Sequence, residues 1–203
     1  MQLTERQIIA RVRARGRGLV FTPKLFTAVS DDPKAVASVL GRLAKKGSIR
    51  RLAHGLYDLP QLHPKLGPLM PSVDDVVRAI QESEAITVQP TGAYAANLLG
   101  LSSQIPMRVE LYTNGPKKVI RYGRQEILLK PTTPRNMAAA GTTAGLVIQA
   151  LRHLGQRNVD EDTLARIAAR LDDRDRKLLL KHRIHAPAWI ARILTRLAER
   201  PAP

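Results

Sequence analysis

Hydrophobic residues recur at the spacing of a helix soon after the amino terminus. Ile8 and Val12 fall on one side of a helix that Thr4 and Gln7 can cap and that ends at the following glycines. A second, short helix is predicted over residues 22–29, because its first residue is a Thr that can cap it and a Pro can occupy its first turn. The chain is therefore expected to open with two helices.

A third helix is predicted up to Lys46, after a turn whose aspartates can cap it. Its apolar residues share one face, which consists of Val36, Val39, Leu40 and Leu43. Two short segments rich in β-formers, residues 48–52 and 56–59, follow it and flank a turn that contains Gly55. Three helices followed by a basic hairpin predict a winged helix-turn-helix DNA-binding domain over residues 1–60.

Turn-forming prolines and a glycine then predict a linker over residues 61–71. A second domain is predicted over residues 72–203, opening with a helix that Ser72 caps. Four segments rich in β-formers predict a small sheet, at residues 86–88, 107–113, 117–122 and 126–129. From residue 138 onward the apolar residues return to helical spacing. We therefore expect an α+β protein with an N-terminal winged helix-turn-helix, a mixed domain with a small β-sheet and a C-terminal helical cluster.

Charge indicates the class of partner. Over 203 residues, 33 Lys and Arg stand against 17 Asp and Glu, which gives a formal net charge of +16. Residues 1–60 hold 12 basic and 4 acidic side chains, so half of the surplus lies in less than a third of the chain. Such a surplus favours nucleic acid, because binding of phosphates releases counterions. A basic surface that serves only solubility is the alternative.

The exposed side of the third predicted helix carries side chains that suit DNA. Arg can bind guanine through two hydrogen bonds, and Ser can donate or accept a hydrogen bond at a base edge. The residues predicted to read DNA from this helix are Lys34, Ser38, Arg42 and Lys45. The predicted DNA-binding set also contains Lys24, the phosphate-contact candidates Lys46, Arg50 and Arg51, and His54 at the predicted tip of the wing. A basic face that is merely solvated is the alternative interpretation.

No pattern in the sequence predicts a catalytic centre, a cofactor site or a metal site. Pairs of aspartates fall at predicted helix starts or turns, where capping explains them, at residues 31–32, 74–75 and 172–173. His182 and His185 can share a helical face, but a third ligand at a recognisable spacing is missing nearby. The glycines of residues 141–145 lack the Lys-Ser or Lys-Thr of a phosphate loop. We therefore do not expect an enzyme.

A basic run near the carboxyl terminus has three open interpretations. It consists of Arg170, Arg174, Arg176, Lys177, Lys181 and Arg183, interspersed with three aspartates. It can be a solvated helix, a second contact to the DNA backbone or a surface for an acidic partner.

The chain contains no cysteine, which excludes disulfides and thiolate metal sites. No stretch of the sequence approaches the roughly 18 uninterrupted apolar residues of a membrane span. We therefore expect a cytoplasmic protein without a membrane partner.

Two blocks of sequence resemble AbiEi-type antitoxins. The first resembles their N-terminal winged domain and consists of SVLGRL at residues 38–43, KGSIRRL at 46–52 and GLY at 55–57. The second resembles the start of their second domain and consists of QPTGAYAA at residues 89–96, LLGLSSQIP at 98–106 and YTNG at 112–115. Together the resemblance covers about residues 20 to 130.

The resemblance implies a transcriptional autorepressor and antitoxin from a type IV-like toxin–antitoxin operon. Its partners would be inverted repeats in its own promoter and a nucleotidyltransferase-like toxin encoded beside it. Separately from the resemblance, we expect the C-terminal domain to support dimerisation, as a homodimer on DNA, toxin antagonism or both. The alternative is a stand-alone winged-helix regulator whose second domain senses a ligand or a partner. A third hypothesis is a nucleic-acid-modifying enzyme whose winged domain serves only to bring it to its substrate. This hypothesis predicts that the protein turns over nucleic acid in the presence of a divalent metal.

Overall fold

The computed structural model describes residues 5–102 and 106–199. The predicted cap Thr4 and residues 103–105 of the resemblance lie outside the described residues. The fold is mixed α+β, as the sequence predicts, with helices near the amino terminus, small sheets and a C-terminal helical cluster. The chain forms two compact units, the first containing residues up to 86 together with 120–124, and the second containing residues 87–119 and those from 125 onward.

The first unit begins with elements in the predicted order. They are α1 (Glu5–Ala14), β1 (Val20–Phe21), a 3-10 helix (Pro23–Phe26), α2 (Pro33–Lys45), β2 (Arg50–Ala53) and β3 (Leu56–Asp58). Asp32 caps α2, because its Oδ1 accepts the backbone N–H of Lys34 at 2.8 Å. The predicted helix over residues 22–29 is only the 3-10 helix followed by a turn. Thr22 makes no capping hydrogen bond there, so the expected N-terminal stabilisation of an α-helix is absent.

Three of these strands form one antiparallel sheet in the order β1-β3-β2. Strand β3 lies between the other two, with Tyr57 opposite both Phe21 and Arg51. The turn between β2 and β3 contains Gly55, whose φ of +67° is a left-handed conformation that glycine adopts without strain. This order and pairing are compatible with the predicted winged helix-turn-helix, in which β2 and β3 form the wing.

The core of the first unit lies between α1, α2 and the sheet. Ile8 and Val12 of α1 are buried against the four apolar residues predicted for α2, all of which are buried. Three aromatic rings pack together on the sheet side of this core. Phe21 is stacked on Tyr57, with 6.0 Å between ring centroids, and is edge-on to Phe26, with 5.9 Å between ring centroids. The packing fixes which side of α2 faces solvent.

The predicted linker over residues 61–71 contains a two-stranded hairpin of β4 (Leu62–His63) and β5 (Gly67–Pro68). The helix that follows, α3 (Val73–Glu84), is capped by Ser72 as predicted. However, α3 belongs to the first compact unit, and the division falls at residue 86 rather than at residue 72. Prolines and glycines occur in both linkers and tight hairpins, so their composition alone does not distinguish the two.

The second unit combines a sheet with a helical cluster. Its first elements are β6 (Val88–Pro90), α4 (Gly92–Leu98), β7 (Arg108–Thr113), β9 (Gln125–Pro131) and α5 (Pro134–Met137), while β8 (Lys118–Tyr122) begins in this unit and ends in the first. Strand β7 pairs antiparallel with β6 and parallel with β9. The helical cluster consists of α6 (Thr143–Leu154), α7 (Glu161–Ala168), α8 (Asp173–His182) and α9 (Ala188–Glu199), with 3-10 helices at Gln156–Asn158 and Arg183–His185.

Two members of the C-terminal basic run stabilise helix ends inside the second unit. Arg176 is buried and donates to the backbone oxygen of Leu197 near the end of α9, at 2.8 Å. Arg170 donates to the backbone oxygen of Leu98 at the end of α4, at 3.2 Å. Cations at helix carboxyl ends are favourable because they satisfy unpaired carbonyls and oppose the helix dipole. The exposed members of the run include Arg174, Lys177 and Lys181.

We expect the second unit to lose stability in mild acid because of His182. This side chain is 8% exposed, and burial lowers its pKa, with the positive charges of Lys181 and His185 acting in the same direction. The unfolded chain then binds the proton more readily, so stability is fully present above the ordinary histidine pKa of about 6.5 and falls as the pH drops below it. Urea unfolding followed by Trp189 fluorescence should show this loss between pH 7 and 5.

The variant His182→Leu should reduce that pH dependence, because it removes the group that titrates. His63→Gln is the control, since His63 is exposed in the first unit. An unchanged pH dependence in His182→Leu would refute the assignment.

Candidate nucleic-acid interface

The face of α2 opposite its buried residues is a polar, exposed surface. The four residues predicted to read DNA lie on it, and all are exposed, namely Lys34, Ser38, Arg42 and Lys45. Their spacing along the helix places them along one side, because residues three, four or seven apart lie near each other on an α-helix. The structure therefore brings the predicted readout set together.

A carboxylate from α1 lies beside this surface. The Oε1 of Glu5 accepts from Arg42 Nε at 3.0 Å, and its Oε2 accepts from Lys46 Nζ at 2.6 Å. Arg42 also donates through Nη1 to Ser38 Oγ at 3.0 Å. The hydrogen bonds from Lys46 and Arg42 lower the pKa of Glu5, so the carboxylate stays ionised at neutral pH. Glu5 thus orients two of the predicted DNA contacts and offsets part of their charge.

Sequence reasoning missed Glu5. Its side chain meets residues that lie 37 and 41 positions further along the chain. Helical periodicity indicates which side of α1 is buried, but it carries no information on which residue of α2 lies beside that helix. No local pattern would have identified this contact.

Arg50 has a different environment from the other predicted contacts. Its Nε donates to Asp58 Oδ1 at 3.0 Å and its Nη2 to Asp58 Oδ2 at 2.5 Å. The same Nη2 lies 2.7 Å from the backbone oxygen of Leu69. Asp58 is 1% exposed, so Arg50 compensates a buried charge and joins β2 to β3. The structure therefore separates Arg50 from the exposed set.

The hairpin of β2 and β3 carries two further predicted contacts, Arg51 within β2 and His54 in the turn. Arg51 and His54 are both exposed, and Arg51 Nη2 lies 3.3 Å from His54 Nδ1. Lys24 is exposed on the 3-10 helix that precedes α2. The exposed candidates thus come from three consecutive pieces of the first unit: the 3-10 helix, α2 and the wing.

Comparison with known protein families matches residues 7–179 to DUF6088, a family of unknown function. The chain belongs to DUF6088. The matched part of this DUF6088 protein includes α2, the wing and most of the second unit. No curated protein matches the chain.

The histidines and carboxylates of this DUF6088 protein do not converge on a metal site in the part of the chain that the structure describes. Within residues 5–102 and 106–199, no group of three or more His, Cys, Asp or Glu is placed to hold a metal ion. The rings of His182 and His185 lie 6.0 Å apart between centroids. Among the same residues, no helix combines the length and the apolar character that crossing a bilayer requires.

Proposed function

We propose that this protein binds duplex DNA through the first unit and acts as a transcriptional regulator. The observation that carries the proposal is the exposed face of α2, where Lys34, Ser38, Arg42 and Lys45 lie opposite the buried side of the helix. A helix followed directly by a basic hairpin is the arrangement with which winged domains enter a major groove. The localised positive charge of residues 1–60 supports the same function.

In this proposal α2 enters the major groove, which is wide enough to admit a helix. Arg42 reads a base edge and Ser38 assists it, since the hydroxyl already accepts a hydrogen bond from the guanidinium. Lys34 and Lys45 bind flanking phosphates, and the wing residues Arg51 and His54 bind the backbone beside them. Phosphate contacts provide affinity and register, whereas the contacts of Arg42 provide sequence preference.

The resemblance to AbiEi-type antitoxins extends the proposal to a specific biological role. The protein would repress its own promoter at inverted repeats, as a homodimer, and would counteract a nucleotidyltransferase-like toxin encoded beside it. This extension is supported by the two blocks of resembling sequence, at about residues 20–130. A neighbouring gene without a nucleotidyltransferase signature would favour the alternative of a stand-alone regulator.

The test is a gel-shift titration of the full chain on the DNA upstream of its own gene. A random duplex of equal length is the control, and both are measured at two salt concentrations. We expect a preference for the upstream DNA that persists at the higher salt, because base contacts are less sensitive to salt than phosphate contacts. Equal binding to both duplexes, lost together as salt rises, would overturn sequence-specific regulation.

Replacement of Glu5 by Gln should strengthen binding to any duplex. The substitution removes a negative charge beside the proposed interface and releases Arg42 and Lys46 for phosphate contact. We expect affinity for random duplex to rise about three- to tenfold, with a smaller rise on the specific site, so that the specificity ratio falls.

Glu199→Gln makes the same charge change in the second unit, where Glu199 is exposed at the end of α9. It should leave both affinities within about twofold, because no residue of the proposed interface belongs to the second unit. Equal gains in the two variants would show that only net charge matters and that Glu5 has no local role.

A further inference from the structure

A cavity of about 370 Å³ lies within the first unit, between α1, β1, the 3-10 helix and α3. Its cationic lining comes from Arg11 and Arg15 of α1 and from Lys24 of the 3-10 helix. Its one lining carboxylate is that of Glu82. The lining therefore carries a surplus of two positive charges, in a space of the size that small ligands occupy.

The three cations of this cavity face only one carboxylate, that of Glu82. Arg11 and Arg15 are four residues apart on one helix, a spacing at which like charges repel. The Nε of Arg11 is buried and has no hydrogen-bond partner among the described residues. Because that nitrogen is closed to solvent, an anion in the cavity would compensate the surplus positive charge of the lining rather than this unmet hydrogen bond.

The rest of the lining determines which kind of anion fits. Hydroxyl groups come from Thr22, Thr27 and Ser83, and an apolar wall comes from residues that include Phe21 and Leu25. Guanidinium, ammonium and hydroxyl groups together suit a doubly charged phosphoryl group, for which arginine offers paired donors. The apolar wall suits a ring or chain attached to that group.

We propose that this cavity binds a small organic phosphate, such as a nucleoside monophosphate. The ligand's phosphoryl group lies against Arg11, Arg15 and Lys24, and its organic part covers the apolar wall. Lys24 is also a proposed DNA contact, and its 3-10 helix packs against α2. Occupation of the cavity therefore withdraws a cation from DNA and weakens duplex binding, a consequence that rests on the proposed function.

The first experiment measures binding of AMP to the full chain by isothermal titration calorimetry, without DNA. We expect saturable binding at one site, weakened at least fivefold in Arg11→Gln and in Arg15→Gln. Arg13→Gln is the matched control, because Arg13 is on the same helix but does not line this cavity. Arg15 is exposed, so its substitution should preserve the fold if that of Arg11 does not, as circular dichroism would check.

Absence of saturable AMP binding by the wild type would overturn the proposal. An equal loss in the Arg13 variant would also overturn it, because general electrostatic attraction would then explain the binding. Inorganic phosphate alone should bind more weakly than AMP, since it leaves the apolar wall uncovered. Equal affinities for AMP and inorganic phosphate would show that the organic part of the ligand does not contact the apolar wall.

Gel shifts with the same variants distinguish a free ligand from the phosphates of DNA. If Arg15→Gln weakens duplex binding while the wild type does not bind AMP, the cations belong to the DNA-backbone contact and the cavity proposal is wrong. AMP binding by a wild type that binds no duplex would leave the cavity site intact and refute the proposed function instead. The two failures are thus separable.

Discussion

Replacing Lys34, Arg42 and Lys45 together by Gln is expected to lower the affinity for the upstream duplex about 100-fold at near-physiological salt. Loss of the phosphate contacts of Lys34 and Lys45 costs roughly a factor of five each under these conditions, loss of the base contact of Arg42 costs about a further factor of five, and the three factors multiply. All three side chains are exposed on α2, so their substitution should leave the fold intact. Gel-shift titrations over a range of salt concentrations should also show the slope of log affinity against log salt reduced by about two, one for each lost phosphate contact.

The control for this variant is the triple substitution of Arg174, Lys177 and Lys181 by Gln. It removes the same formal charge from exposed positions of α8, in the second unit. We expect a change of less than about threefold, because these charges are outside the proposed interface. Equal losses in the two triple variants would contradict an interface confined to α2 and would favour either non-specific attraction or a second DNA-backbone contact by the C-terminal basic run.

The single substitution Arg42→Ala tests how sequence is read. A bidentate contact to a base is worth about 1 to 3 kcal/mol of discrimination, so the preference for upstream over random duplex should fall. If the affinity instead falls equally for both duplexes, Arg42 contacts a phosphate rather than a base.

Replacement of Asp58 by Asn is expected to lower the free energy of unfolding of the first unit by about 3 kcal/mol. Removing one member of a buried ion pair leaves its partner uncompensated, which costs about 3 to 5 kcal/mol in well-buried pairs. The lower end applies here because Asp58 is buried while the side chain of Arg50 is 27% exposed. Urea unfolding measured by circular dichroism gives the difference.

Asp31→Asn is the control for the Asp58 variant, since Asp31 is an exposed residue of the same unit. Its effect should stay within about 0.5 kcal/mol, as is usual for surface positions. An Asp58 variant as stable as the wild type would show that the pair with Arg50 does not hold the wing. It would also mean that Arg50 remains a candidate for contact with a DNA phosphate.

Local patterns predicted the elements on which the proposed interface depends. The spacing of Val36, Val39, Leu40 and Leu43 correctly predicted the buried face of α2, and the exposed face followed from it. Capping chemistry correctly placed the start of this helix, because Asp32 bonds to backbone groups only two and three residues away. The two segments rich in β-formers that flank Gly55 correctly predicted the hairpin for a similar reason, since its two strands are joined by a short turn.

Composition predicts local structure less well where two different elements, such as a linker and a tight hairpin, contain the same types of residue. The prolines and glycine of residues 61–71 are equally consistent with a linker and with the hairpin of β4 and β5. Likewise, Thr22 followed by Pro23 is typical of a helix start, but the segment forms only a 3-10 helix. Local signals favour an element without determining its length, which depends on the packing around it.

The α+β class, the position of α2 and the face that α2 presents to solvent can all be predicted from the sequence, because each depends on residues within a few positions of one another. The surroundings of those residues depend instead on how distant parts of the chain pack together. This packing placed Glu5 against Arg42 and Lys46, paired Arg50 with Asp58, and grouped α3 with the first unit. These contacts join parts of the chain through packing, and the electrostatic environment of a side chain depends on neighbours in space that no local period encodes.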